Sequence, residues 1–266
     1  MTQKYKIKHI RFKVLTNNSP IRNNIITQLY SYVSSDYSCY KIVNEFFFTQ
    51  RNNNRTKSVI LRRLNRLKNE QELDGINVDL DTFNKVKNVI LNLFENPSIT
   101  HHNYQNIFTG YFEYIVMRWK KIPGRSGKVV FEPLIRYKRK ELFCGEPFAN
   151  IRCDIVFKDS KTKTLSFYEC KFGIRTFLSD LQVDVSSGSV TERVRRARRA
   201  HRKIDYLNQC KNLFSKSPLS DVENNETMIM TLARRSTVEN YLGYFRGINI
   251  MAREEIESRC FHGQLT

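Results

Sequence analysis

Three side chains of this sequence, Asp154, Glu169 and Lys171, can do chemistry together if a hairpin brings them to one place. They lie in the stretch Asn150 to Gly173, NIRCDIVFKDSKTKTLSFYECKFG. Ile151 to Phe157 alternates Ile151, Cys153, Ile155 and Phe157 on one face with Arg152, Asp154 and Val156 on the other, which predicts a strand. Asp159-Ser160-Lys161-Thr162 is polar and turn-like. Thr164 to Phe172 predicts a second strand, with Leu165, Phe167, Glu169 and Lys171 on one side and Ser166, Tyr168 and Cys170 on the other. Glu169 and Lys171 then sit side by side, next to the strand that carries Asp154. Strands this apolar belong in a core, where a bare charge is costly. Two carboxylates and an ammonium can share such a place when a divalent cation joins them. Carboxylate oxygens suit Mg²⁺ or Mn²⁺. The lysine can then orient, or help deprotonate, a metal-bound water. Neither carboxylate has another evident structural partner. Cys170 points to the opposite face and is expected to pack against a helix. The alternative reading of the same residues is a solvent-facing charged strand pair.

The pattern of Asp154 followed one hairpin later by Glu169-Cys170-Lys171 resembles the PD-(D/E)XK nuclease superfamily. With flanking elements the resemblance covers Tyr111 to about Ala252, and Cys153 stands where that family usually has a proline. It implies an α/β domain with a restriction-endonuclease-like α-β-β-β-α-β core and a mixed sheet. It implies Mg²⁺ (or Mn²⁺) held by Asp154 and Glu169, with Lys171 completing the catalytic set. In that family the helix before the sheet often supplies a further acidic residue, and Glu113 is where this sequence offers one. A surface glutamate is the alternative for Glu113. The implied activity is metal-dependent endonucleolytic hydrolysis of DNA, in restriction, phage defence or a mobile element. A nuclease fold with a helical domain is also similar to the endonuclease subunit of Tn7-like transposases, although those place the helical domain after the core and here it comes first. A nuclease-like fold that binds nucleic acid without cutting it is the rival from a different class.

Charge points the same way. The chain has 266 residues and a formal net charge of +19, an excess that calls for a polyanionic partner, most simply double-stranded DNA. No run of eighteen or more apolar residues predicts a membrane span. The N-terminal MTQKYKIKHIRFKV is basic but lacks the apolar core of a signal peptide. Cys39, Cys144, Cys153, Cys170, Cys210 and Cys260 are dispersed, without a zinc-type pair, and read as reduced core thiols of a cytoplasmic protein. One active site makes one cut, so double-strand cleavage calls for a homodimer or a partner protein of a larger complex.

The elements that must position these residues follow from periodicity. Residues 1–100 read as a mainly helical basic region and 101–266 as the nuclease domain. Residues 4–15 alternate basic and apolar side chains like a strand. Helices are expected over Ile21 to Val33, Tyr40 to Phe48, Thr56 to Asn69 and Asp81 to Phe94. In the third of these Val59, Ile60, Leu64 and Leu67 face in and Lys57, Arg62, Arg63, Arg66 and Lys68 face out. This region could read DNA, or could simply pack. Tyr104 to Lys120 predicts the helix carrying Glu113, and Val129 to Tyr137 the first core strand, with Glu132 a weaker candidate ligand. Ser189-Val190-Thr191-Glu192 matches a capping box opening a long helix whose Arg193, Arg195, Arg196, Arg198, Arg199, Arg202 and Lys203 repel one another unless a polyanion lies against them. Arg195, Arg198, Arg199, Arg202 and Lys203 are the candidate phosphate contacts. Met228 to Ala233 and Ile248 to Ala252 read as strands flanking a short helix.

Overall fold

A computed structural model describes residues 4–14, 20–120, 127–186, 191–215 and 220–260. The serine of the expected capping box, Ser189, lies outside the described residues. In chain order the elements are β1 (Ile10–Lys13), α1 (Asn24–Val33), α2 (Tyr37–Thr49), α3 (Lys57–Leu73), α4 (Leu80–Glu95) and α5 (His101–Lys120). There follow β2 (Lys128–Phe131), β3 (Leu134–Tyr137), β4 (Lys140–Glu141), β5 (Ile155–Asp159), β6 (Thr164–Lys171), α6 (Arg175–Leu181) and α7 (Glu192–Phe214). The chain ends with β7 (Asn224–Thr231), α8 (Arg235–Val238), β8 (Asn249–Met251) and α9 (Arg253–Cys260). The chain divides into two compact units, Asn18–Val116 with Ser258–Thr266, and Met1–Asn17 with Met117–Glu257.

The first unit is helical. Helices α1, α2 and α4 start where a short polar side chain takes up orphan backbone N–H groups. Asn23 accepts from Ile25 and Ile26 at the head of α1, Asp36 from Cys39 at α2, and Asp79 from Thr82 at α4. The core is aromatic: Phe47 packs on Tyr104, Phe108 and Tyr111 at centroid distances of 6.2, 6.3 and 5.7 Å. The buried Tyr104 hydroxyl donates to the Gln50 carbonyl at 2.8 Å, so the polar tip of that ring is satisfied. On α3, Ile60, Leu64 and Leu67 are buried as the pattern requires, but Val59 is 37 % exposed. Part of the basic face of α3 is neutralised within the unit: Lys57 pairs with Glu95, Arg66 with Glu70 and Lys68 with Glu72. Arg63, expected to face out, donates to Gln50 at 2.8 Å.

The second unit is α/β. A five-stranded mixed sheet has the order β2-β5-β6-β7-β8. The pairs β2/β5 and β5/β6 are antiparallel, and β6/β7 and β7/β8 parallel. One sheet face is covered by α7, whose Val194, Ala197, Ala200, Ile204, Leu207, Cys210 and Phe214 are buried at helical spacing. Phe214 stacks on Phe167 of β6 at 5.7 Å. On the other face, Trp119 in the last turn of α5 meets Tyr168 edge-on at 6.0 Å. The segment expected as one strand, Val129 to Tyr137, is two. Glu132 takes a left-handed backbone (φ 40°) and Pro133 follows it. A non-glycine residue at positive φ turns the chain out of the strand, and proline cannot donate to a ladder. β3 therefore leaves the large sheet and pairs with β1 and β4 in a small antiparallel one. The basic N-terminal segment is thus built into this unit: Ile7 N–H donates to Asp221 at 2.6 Å, and Tyr5 packs edge-on against Tyr137 and Phe214. At α7 the capping residue is Thr191, whose hydroxyl accepts from Val194 N–H, and the helix opens at Glu192. Among the described residues no helix is long and apolar enough to cross a membrane.

Candidate active site

The register of the hairpin builds the site. Ile155 of β5 pairs with Tyr168 of β6. One step further, Asp154 falls opposite Glu169, and cross-strand partners share a face. β2 closes against the same point, since Glu132 N–H donates to the Asp154 carbonyl at 2.9 Å. The backbone break at Glu132 thus comes one hydrogen bond from the site, while the Glu132 side chain itself is exposed.

Asp154 is half-buried, and its Oδ2 accepts from the Cys170 backbone N–H at 2.6 Å. Cys170 holds the aspartate through its main chain, with its side chain on the other face. Glu169 is completely buried. Its Oε1 accepts from Lys171 Nζ at 2.5 Å and its Oε2 from Lys203 Nζ at 2.8 Å. Lys203 also donates to the Arg152 carbonyl at 2.5 Å. Lys171 has a further neighbour, the Phe177 ring of α6, 5.7 Å from its ammonium. The expectation that Glu169 lacks a structural partner is therefore wrong: it carries two.

The two carboxylates answer this environment in opposite ways. Burial, then the charge of Glu169, pushes Asp154 up to about 6, against the pull of both lysines and the Cys170 N–H. Burial presses Glu169 upward too, but the ammoniums of Lys171 and Lys203 outweigh it and hold the carboxyl below its ordinary range. Burial acts to lower Lys171 and Lys203, and the attraction of Glu169 and Asp154 overcomes it, so both stay above the ordinary lysine value. Both lysines are therefore protonated at neutral pH.

Does this donor set suit a divalent cation? Among the described residues no three His, Cys, Asp or Glu side chains gather into a ready metal cluster. What the site offers is the carboxylate pair Asp154 and Glu169. That is the kind of set Mg²⁺ uses, since it binds through one or two carboxylates and keeps waters for the rest of its shell. The mutual repulsion that raises Asp154 is also what a cation would relieve. The nearby sulfur does not compete: burial drives the Cys153 thiol well above its ordinary value, and Cys210 lies against it. The residues fit the cation in kind, with Lys203 and Lys171 already holding the glutamate.

The other sequence candidates distribute as follows. Glu113 is half-buried on α5, within the helical unit. His101 and His102 open α5 and pair with Gln105 and Asn106 one turn on. On α7, Arg193, Arg195, Arg196 and Arg199 are exposed, and Arg198 and Arg202 half-buried. Arg195 lies 3.5 Å from Glu192 and Arg196 3.5 Å from Asp180, both loose surface pairs. Lys203, grouped by the sequence with the phosphate-facing arginines, does not join them: its side chain is only 20 % exposed and its ammonium is on Glu169. The signal was present. Lys203 sits beside Ile204, between Ala200 and Leu207, on the apolar stripe of the helix, where a lysine needs a buried partner. Compared with protein-family models, curated proteins and solved structures, the chain matches none.

Proposed function

We propose that this chain is a metal-dependent endonuclease that hydrolyses phosphodiester bonds in DNA. The observation that carries the reading is the pairing of half-buried Asp154 with completely buried Glu169, braced by Lys171 and Lys203, in a chain of net charge +19. Gathering four ionisable groups, one completely buried and three partly so, is expensive for a fold, and perturbed groups gathered in one place mark functional sites. The element order α5, β2, β5, β6, α7, β7 supports a restriction-endonuclease-like α-β-β-β-α-β core.

In this reading Asp154 and Glu169 would hold Mg²⁺ or Mn²⁺. The cation, when bound, supplies Lewis acidity at the scissile phosphate and an acidified water. Lys171 stays protonated, so it serves as a donor that orients the attacking oxygen and offsets negative charge, rather than as the base. The Cys170 N–H fixes one oxygen of Asp154, which leaves the other to face the reaction. Arg195, Arg198, Arg199 and Arg202 are the phosphate contacts. Arg199 lies one turn before Lys203 on α7, so a duplex following the arginine side of the helix is led toward the site. A double-strand break would take a second copy or a partner nuclease.

The test is cleavage of supercoiled plasmid, linear duplex, single-stranded and branched DNA with Mg²⁺, Mn²⁺ or EDTA. Nicking that needs the divalent ion supports the reading. Stable DNA binding with no cleavage of any substrate in either metal would favour the inactive binding protein instead.

A further inference from the structure

Lys203 is the member of the cluster that a two-carboxylate, one-lysine site does not require. It comes from α7, not from the hairpin, and spends its ammonium on Glu169 Oε2 at 2.8 Å and the Arg152 carbonyl at 2.5 Å. Glu169 is completely buried, and its other oxygen is taken by Lys171 at 2.5 Å. Both glutamate oxygens thus carry an ammonium. A divalent cation bound by Glu169 would stand within a few ångströms of both, with little water between to screen the repulsion. One of them has to give way.

The geometry selects which. Lys171 sits on the same strand as Glu169, two residues on, with its ammonium against the Phe177 ring. Lys203 holds a second, uncharged partner, the Arg152 carbonyl. It can release Glu169 and keep a hydrogen bond. We propose that Lys203 is an internal counter-cation: it neutralises Glu169 until a divalent ion takes over that charge, and it competes with the ion for the site. This rests on the nuclease reading above and assigns Lys203 a positioning role within it. The consequence is a site kept folded and charge-balanced without metal, with a weakened affinity that sets how much free metal the enzyme needs.

The test is Mn²⁺ binding to the DNA-free protein by calorimetry, on wild type, Lys203→Gln, Lys203→Arg and Glu169→Gln. Glutamine keeps a donor on a slightly shorter side chain but carries no charge. Lys203→Gln should bind Mn²⁺ about tenfold or more tightly, the scale on which one nearby charge shifts an ionic equilibrium. Lys203→Arg should stay near wild type, and Glu169→Gln should lose binding. The Mn²⁺ concentration that half-saturates nicking should fall in parallel for Lys203→Gln. Circular dichroism checks folding, and Lys203→Met replaces the glutamine variant if that one fails. Wild-type binding with unchanged or weaker binding in the uncharged variant would overturn the counter-cation role and leave the nuclease reading standing. No saturable Mn²⁺ binding by wild type would overturn both.

Discussion

Asp154 and Glu169 share one site and one kind of charge, yet replacing them should have opposite effects on the fold. Asp154 is ionised against burial and the charge of Glu169. A carboxyl whose folded pKa is raised to about 6 binds its proton more tightly folded than unfolded. Its contribution to stability is full below the unfolded value and is lost as pH rises through about 6. Asp154→Asn keeps an oxygen for the Cys170 N–H and removes that conflict. We expect no cleavage from it, and in metal-free thermal melts a Tm a few degrees above wild type at pH 8, with the gap shrinking toward pH 4. A lower Tm at pH 8 would mean that the aspartate is a structural group. Glu169→Gln leaves the partly buried Lys171 and Lys203 with only Asp154 as counter-charge, and should cost about 3 kcal/mol in urea unfolding. Asp154, Glu169 and Lys171 were legible in the sequence because strand periodicity puts Glu169 and Lys171 on one face and the polar turn makes Asp154's strand their neighbour, although the register that sets Asp154 opposite Glu169 is a property of the fold. Lys203 was not, because it lies 34 residues after Glu169 and its place depends on how α7 lies on the sheet. Only its position on an apolar stripe hinted at a buried partner.

At the scale of elements, the hairpin acts through its main chain as much as its side chains. Cys170 contributes its N–H to Asp154, and any residue but proline supplies that. Cys170→Ala should therefore keep metal-dependent cleavage within a few-fold of wild type. A loss of a hundredfold or more in the folded variant would bring the thiol into the chemistry. Helix α7 divides its labour by face. Its buried stripe carries Lys203 to the site, and its outer side presents Arg195 and Arg199, with Arg202 at the margin. Replacing Arg195, Arg199 and Arg202 together by alanine should flatten the slope of log affinity against log salt by roughly two to three units, at about 0.9 per phosphate. The loss should be alike for unrelated duplexes, since phosphates position rather than specify. An unchanged slope would place the DNA elsewhere. Helix positions followed well from apolar periodicity. The break of Val129 to Tyr137 into two strands did not, although Glu132-Pro133 marks it: the apolar alternation runs on past the proline, and the partner that claims the second half, β1, lies more than a hundred residues earlier.

For the whole molecule, the N-terminal segment looked like part of a helical basic region, and its first strand is instead an edge of the α/β unit. Tyr5 covers Tyr137 and Phe214, and Ile7 is tied to Asp221. Deleting residues 1–13 should therefore lower the Tm of the protein by several degrees, rather than only weaken DNA binding. An unchanged Tm with reduced affinity would make the segment an arm. The charge of +19 was read as an affinity for polyanions, and composition alone gives no address for it. The address proposed here is the outer side of α7, leading to a carboxylate pair that holds a metal ion. The most direct measurement of that claim is nicking of supercoiled plasmid by wild type and Asp154→Asn, purified alike and shown folded, in Mg²⁺ and in EDTA. Wild type should nick in Mg²⁺ and not in EDTA, and Asp154→Asn in neither condition. Nicking by the variant at the wild-type rate, or by wild type in EDTA, would contradict that claim.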